Sequence, residues 1–251
     1  MASYNITLWY YGNAMEKNRR FYELLKEYTF FKPNYFHGPQ EQDETLHEIT
    51  IGEEDVDKLF YESEKYFPEI SIIFGGKNFE AMLSLSIFQE PKYFGSVYFN
   101  VVSLQINKIA HNKMLSCKDI EKIFFKLIKI YDPIYGLLDD DDKAFDLMET
   151  EDSYRPNEYI QSLFWGNYYG KGYCNCKGVK SLIASDFCES IKMDDGYFVK
   201  LSENCDEYNS SLVNQRRKKL FKYIISPITK RYLNRFNEQC QSGDGTMIDE
   251  K

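Results

Sequence analysis

The segment SCKDIEKIFFKLIKIYDPIYGLL, Ser116 to Leu138, holds a helical and a strand periodicity side by side. Ser116 with Asp119 three residues later has the form of a capping box, in which each side chain bonds the other's backbone N–H. Ile120, Ile123, Phe124, Leu127, Ile128 and Tyr131 then recur at helical spacing, predicting an amphipathic helix with Phe124, Leu127 and Ile128 buried. Asp132-Pro133 stops it, because the residue before a proline is pushed out of the helical region. Ile134 to Leu138 reads as a short strand that runs straight into four aspartates, Asp139 to Asp142.

Upstream, Ile6 to Tyr11 is an aromatic and β-branched run, predicted as a strand. Phe21, Leu24, Leu25 and Tyr28 predict a helix after it, stopped at Lys32-Pro33-Asn34. Leu46 to Ile51 suggests a short strand, and Val56, Leu59, Phe60 and Phe67 a second helix limited by Pro68. Strands over Ile70–Phe74, Ala81–Phe88 and Ser96–Ile106 then suggest an antiparallel meander. Downstream, Ile160–Trp165 is strand-like and Gly166–Gly172 reads as a Gly- and Tyr-rich turn. Val179–Ile183 reads as a helical turn or a short helix, Tyr197–Leu201 as a strand after the Asp194-Asp195-Gly196 turn, and Ser211–Ile225 as a final helix that resumes past Pro227 as far as Phe236. The expected fold class is α+β, with mainly antiparallel sheet and packed amphipathic helices; two ferredoxin-like halves are one arrangement compatible with it. One compact domain is expected over residues 1–238, with halves 1–115 and 116–238, followed by a frayed tail at 239–251.

Over 251 residues the net charge is −8, too acidic for a nucleic-acid binder acting through bulk charge, while 43% hydrophobic residues exclude wholesale disorder. No apolar run reaches the length of a membrane span, and the start lacks the pattern of a secretion signal, so a cytoplasmic protein is expected. Charge is unevenly placed. Glu41–Glu69 holds eleven acids against Lys58 and Lys65, and Asp139–Asp152 holds eight acids against Lys143 alone. Tyr208–Asn237 holds eight cations, Arg216 to Lys219 among them, and no acid. Four consecutive cations project around a helix rather than along one stripe, and pairing with the chain's own acids would also account for them.

No catalytic signature is present: no GxSxG, Walker loop, GxGxxG or HExxH. Gly170-Lys171-Gly172, flanked by tyrosines, reads as a tight turn rather than a phosphate loop. Histidines 37, 47 and 111 show no ligand pairing. The six cysteines are expected as reduced thiols; Cys174 and Cys176, one residue apart, are too close for the usual zinc knuckle, although a set with Cys188 and Cys205 is conceivable. The aspartate run lacks the register of a calcium loop and is expected as a solvated acidic loop, with a protein-docking role as the functional reading.

The segment Ile120–Gly136 and the later FWGNYYG of Phe164–Gly170 together resemble the immunity protein 52 family of bacterial polymorphic and type VI toxin systems. The resemblance spans about 117–225: a helix ending near D-P with a following Gly, then Trp165, Asn167 and Gly170 as W-x-N-x-x-G. The short helix at Val179–Ile183, the Asp195-Gly196 turn and the strand Phe198–Leu201 complete it. Cys174-Asn175-Cys176 departs from the expected apolar turn. The resemblance implies a non-enzymatic protein, without cofactor, that neutralises a cognate secreted toxin, often a nuclease, by occluding its active site. Trp165, Asn167, Gly170, Asp195 and Gly196 are then structural. The expected docking acids are Asp139, Asp140, Asp141, Asp142, Asp146, Glu149, Glu151 and Asp152, which suit a basic cleft on the toxin. Direct nucleic-acid or membrane binding is not expected. Two alternatives stand beside this reading: a metal-dependent hydrolase using the acidic run, and an acidic DNA mimic that antagonises a defence enzyme.

Overall fold

The computed structural model describes residues 3–10, 14–37, 49–50, 58, 72–84, 100–107, 115–148, 162–224 and 231. The chain divides into two compact units, Met1–Ile87 with Phe99–Tyr131, and Phe88–Tyr98 with Asp132–Lys251. The central helix belongs to the first unit, and the longer run of the second begins at Asp132.

In the first unit, strand β1 (Ser3–Tyr10) is followed by helix α1 (Ala14–Lys26), then β2 (Tyr35–His37), β3 (Ile49–Thr50), β4 (Ile72–Gly76), β5 (Phe79–Ser84), β6 (Asn100–Asn107) and helix α2 (Cys117–Tyr131). The strands lie in the order β3-β2-β4-β5-β6-β1, every neighbouring pair antiparallel. β4, β5 and β6 form the expected meander, whose first turn is Lys77-Asn78; Asn78 Nδ2 ties that turn to Phe30 O at 2.9 Å. Six described strands exceed the four of a ferredoxin-like half, because the β4–β5 hairpin and the short β2 and β3 extend the sheet.

Helix α2 begins as its sequence dictates. Ser116 N donates to Asp119 Oδ2 (3.0 Å), Asp119 N donates to Ser116 Oγ (3.3 Å), and the Ser116 hydroxyl reaches the same carboxylate at 2.6 Å. These bonds, the side-chain one foremost, hold the Asp119 carboxyl down at about 2. Ile120, Ile123, Phe124, Leu127, Ile128 and Tyr131 are buried, and α2 packs on α1 and β1. Tyr131 closes the helix inside an aromatic cluster. Its ring lies 4.6 Å from Tyr10 and 6.0 Å from Phe21, and its hydroxyl donates to Asn18 Oδ1 at 2.9 Å. Lys17 caps the helix end by donating to Tyr131 O.

The second unit contains β7 (Tyr135–Asp140), helix α3 (Asp141–Met148), β8 (Gly166–Tyr169), a 3-10 turn (Tyr173–Asn175) and helix α4 (Lys177–Ile183). β9 (Glu189–Lys192), β10 (Tyr197–Lys200), a second 3-10 turn (Cys205–Glu207) and helix α5 (Ser211–Ile224) complete it. Its antiparallel strands run β7-β8-β10-β9. The expected strand at Ile160–Trp165 is corrected: residues 162–165 form no strand, and pairing begins at Gly166, within the stretch expected to turn. Gly166 leaves room for the Phe198 ring of β10, since a Cβ there would come within 2.8 Å of it. β9 is a polar end strand, held in register by Lys200 paired with Glu189 at 3.5 Å. The expected helix around Val56–Phe67, the continuation past Pro227 and the tail at 239–251 lie outside the described residues, apart from Lys58 and Arg231.

Candidate functional site

The aspartate run does not form the expected solvent-facing loop. Asp139 and Asp140 are the last residues of β7 and are 1% and 3% exposed, which corrects the docking role expected for them. The physical reason is a set of partners far away in sequence. Asp139 Oδ2 accepts from Trp165 N (2.7 Å) and from Arg217 (3.2 Å), and its Oδ1 accepts from Asp140 N (2.8 Å). Asp140 Oδ1 accepts from Lys143 N at 3.0 Å, the bond of a helix N-cap, and so starts α3. Asp141 and Asp142 follow in the first turn, where carboxylates complement the helix dipole; Asp141 is half-buried and Asp142 exposed. Asp146 lies on α3, while Glu149, Glu151 and Asp152 fall outside the described residues.

Arg217 is the counterpart that the sequence did not reveal. Besides Asp139 it bonds Leu163 O through Nε (2.6 Å), Asn214 Oδ1 (2.7 Å) and Tyr208 O (3.3 Å), so one guanidinium joins β7, the approach to β8 and helix α5. Burial pushes the Asp139 carboxyl up to about 6, against the pull of Arg217 and of the Trp165 and Asp140 amides. Burial likewise draws Arg217 down, with Asp139 opposing. A pair so enclosed organises the fold, with both Asp139 oxygens engaged in hydrogen bonds within the protein.

Trp165 and Asn167 sit beside this pair. The Trp165 indole is fully buried, packs against Phe198 with centroids 6.4 Å apart, and donates from Nε1 to Ser202 Oγ at 2.8 Å. Asn167 spans the backbone of Phe164: its Oδ1 accepts from Phe164 N (3.1 Å) and its Nδ2 donates to Phe164 O (2.8 Å). The amide thus braces the entrance to β8 rather than the Gly166–Gly172 stretch. Gly170 and Gly196 are places of close approach, where a Cβ would lie 2.1 Å from Pro133 O and 2.3 Å from Tyr169 O. Asp195 is exposed in the turn before β10. Tyr135, Tyr169 and Tyr173 form a buried cluster in which the Tyr169 hydroxyl has no partner among the described residues.

The cysteines do not assemble as a four-thiolate set. Cys205 is disulfide-bonded, as is Cys117, which corrects the expectation of reduced thiols throughout; Cys174, Cys176 and Cys188 are free. Burial raises the Cys188 thiol to about 11, so it is protonated at neutral pH.

No protein-family model matches the chain, and no curated protein matches it. Among solved structures it is similar to the Pseudomonas aeruginosa T6SS protein PA0821, at 10% identity and a TM-score of 0.55, over 99% of this chain and 88% of that one. At that identity the likeness establishes a shared fold. No described helix is long and apolar enough to cross a membrane.

Proposed function

We propose that this chain is an immunity-type protein of a T6SS-associated toxin system, binding a cognate secreted toxin and blocking its active site without catalysis of its own. The observation that carries the reading is the fold shared with a T6SS protein over nearly the whole chain, joined to the motifs that resemble the immunity protein 52 family. The burial of Asp139 and Asp140 narrows the docking acids to Asp141 and Asp142 at the start of α3, with Asp146, Glu149, Glu151 and Asp152 beyond them. Such a cluster steers a basic cleft toward itself and is screened by salt. The hydrolase alternative loses support because Asp139 is sealed by its own bonds. The cytoplasm is the compartment expected from sequence; the disulfide-bonded Cys117 and Cys205 favour an oxidising one instead.

The test is co-expression with the product of the adjacent gene. Rescue of growth and co-purification are expected, and Asp141→Asn with Asp142→Asn should slow association and flatten its salt dependence. A toxic neighbour that is neither bound nor neutralised would overturn the proposal.

A further inference from the structure

Helix α5 uses its basic residues in two ways. Arg216 and Arg217 turn toward the strands, Arg216 donating to Leu201 O at 2.6 Å and Arg217 holding Asp139. Lys218, Lys219 and Lys222 remain exposed, and none of them has an acidic partner among the described residues. Leu212, Gln215, Lys219 and Lys222 follow three-and-four spacing, so they lie along one stripe of the helix. Lys219 Nζ stands 4.5 Å from the ring centroid of Phe187, in the segment between α4 and β9. Phe187 and Leu212, 43% and 48% exposed, are the large apolar side chains left open to solvent among the described residues. Phe187 lies against Lys219, and Leu212 stands near the start of the same helix, two turns before it.

A solvated basic helix face is the plain alternative, and the helix dipole accounts for Lys222 in the last turn. It does not account for Lys218 and Lys219 at mid-helix, nor for an exposed aromatic ring set against one of them. We propose that this outer face of α5, together with Phe187, docks an acidic segment of another protein. Carboxylates of that segment lie over Lys218, Lys219 and Lys222, and an apolar side chain rests on Phe187. The occupant follows from charge: three like charges repel one another until acids neutralise them, and the Phe187 ring supplies an anchor at the patch. A nucleic acid fits less well, since three lysines give few phosphate contacts on a chain of net charge −8. The proposal does not rest on the immunity reading.

The experiment is fluorescence anisotropy of the full chain with a labelled helical peptide of glutamate, alanine and leucine, run beside a labelled oligothymidylate. The peptide should bind at low salt, and the double reversal Lys219→Glu with Lys222→Glu should weaken it about tenfold. Phe187→Ser should weaken it several-fold, while reversal of the exposed Lys129 on α2 should leave it unchanged. Absence of peptide binding, equal loss from Lys129→Glu, or tighter binding of oligothymidylate would each overturn the proposal.

Discussion

Replacing Arg217 with Met keeps an unbranched apolar stem but removes the guanidinium, and with it four hydrogen bonds and the positive charge opposite Asp139. Removing one partner of a buried ion pair costs about 3–5 kcal/mol, because the other charge is left uncompensated. Its pH dependence is distinctive. The folded Asp139 carboxyl lies at about 6, above its ordinary 3.8, so the native state holds its proton longer than the unfolded chain. Stability linked to this group is greatest below pH 4 and falls as pH rises through 6, by a ceiling of about 3 kcal/mol. Without Arg217 the carboxyl is pushed higher still, and the falling window extends above pH 6. The cost of Arg217→Met should therefore be about 3–5 kcal/mol at pH 8 and about 1–2 kcal/mol less at pH 5, where both proteins carry a largely protonated Asp139. Urea titrations followed by tryptophan emission at the two pH values measure the difference. A cost below about 1 kcal/mol at pH 8, or one that grows as pH falls, would refute the account of this pair.

Tyr169→Phe should raise stability by up to about 1–2 kcal/mol in thermal or urea melts, since it deletes a buried hydroxyl that has no partner among the described residues. Leu127→Ala should cost about 2–5 kcal/mol, because the side chain is fully buried on α2. Ser116→Ala should cost about 1 kcal/mol at neutral pH. The Asp119 carboxyl that Ser116 stabilises lies below its ordinary value, so its share of stability is lost as pH falls from about 4 to 2, and the variant's deficit should shrink there. Maleimide labelling of the denatured, unreduced protein should modify Cys174, Cys176 and Cys188 but spare Cys117 and Cys205, as peptide mass mapping would read.

What could be read along the chain was whatever is encoded locally. The capping box at Ser116 and the stripe from Ile120 to Tyr131 act within a few turns, and the helix appears where they place it. β2 was missed because three residues just past Pro33 show no periodicity, and its pairing with β4 depends on residues far along the chain. β9 was missed because a polar end strand carries no apolar alternation. At the aspartate run, local reasoning failed for the same cause: charge density predicts exposure, yet Asp139 is buried by Trp165 and Arg217, 26 and 78 residues away. A closer look at spacing would have recovered one part. Asp140 stands three residues before Lys143 at the opening of a helix, which is the pattern of an N-cap.

Trp165 N–H is held by a carboxylate that is itself held by helix α5, so that proton can exchange with solvent only when the pair lets go. Where α5 detaches more readily than the whole chain unfolds, deuterium uptake at this amide is therefore a clock for that opening. One amide at the heart of the second unit thus reports on the attachment of a helix whose opposite side meets the solvent. Anything that grips that outer side should slow the clock without touching the tryptophan.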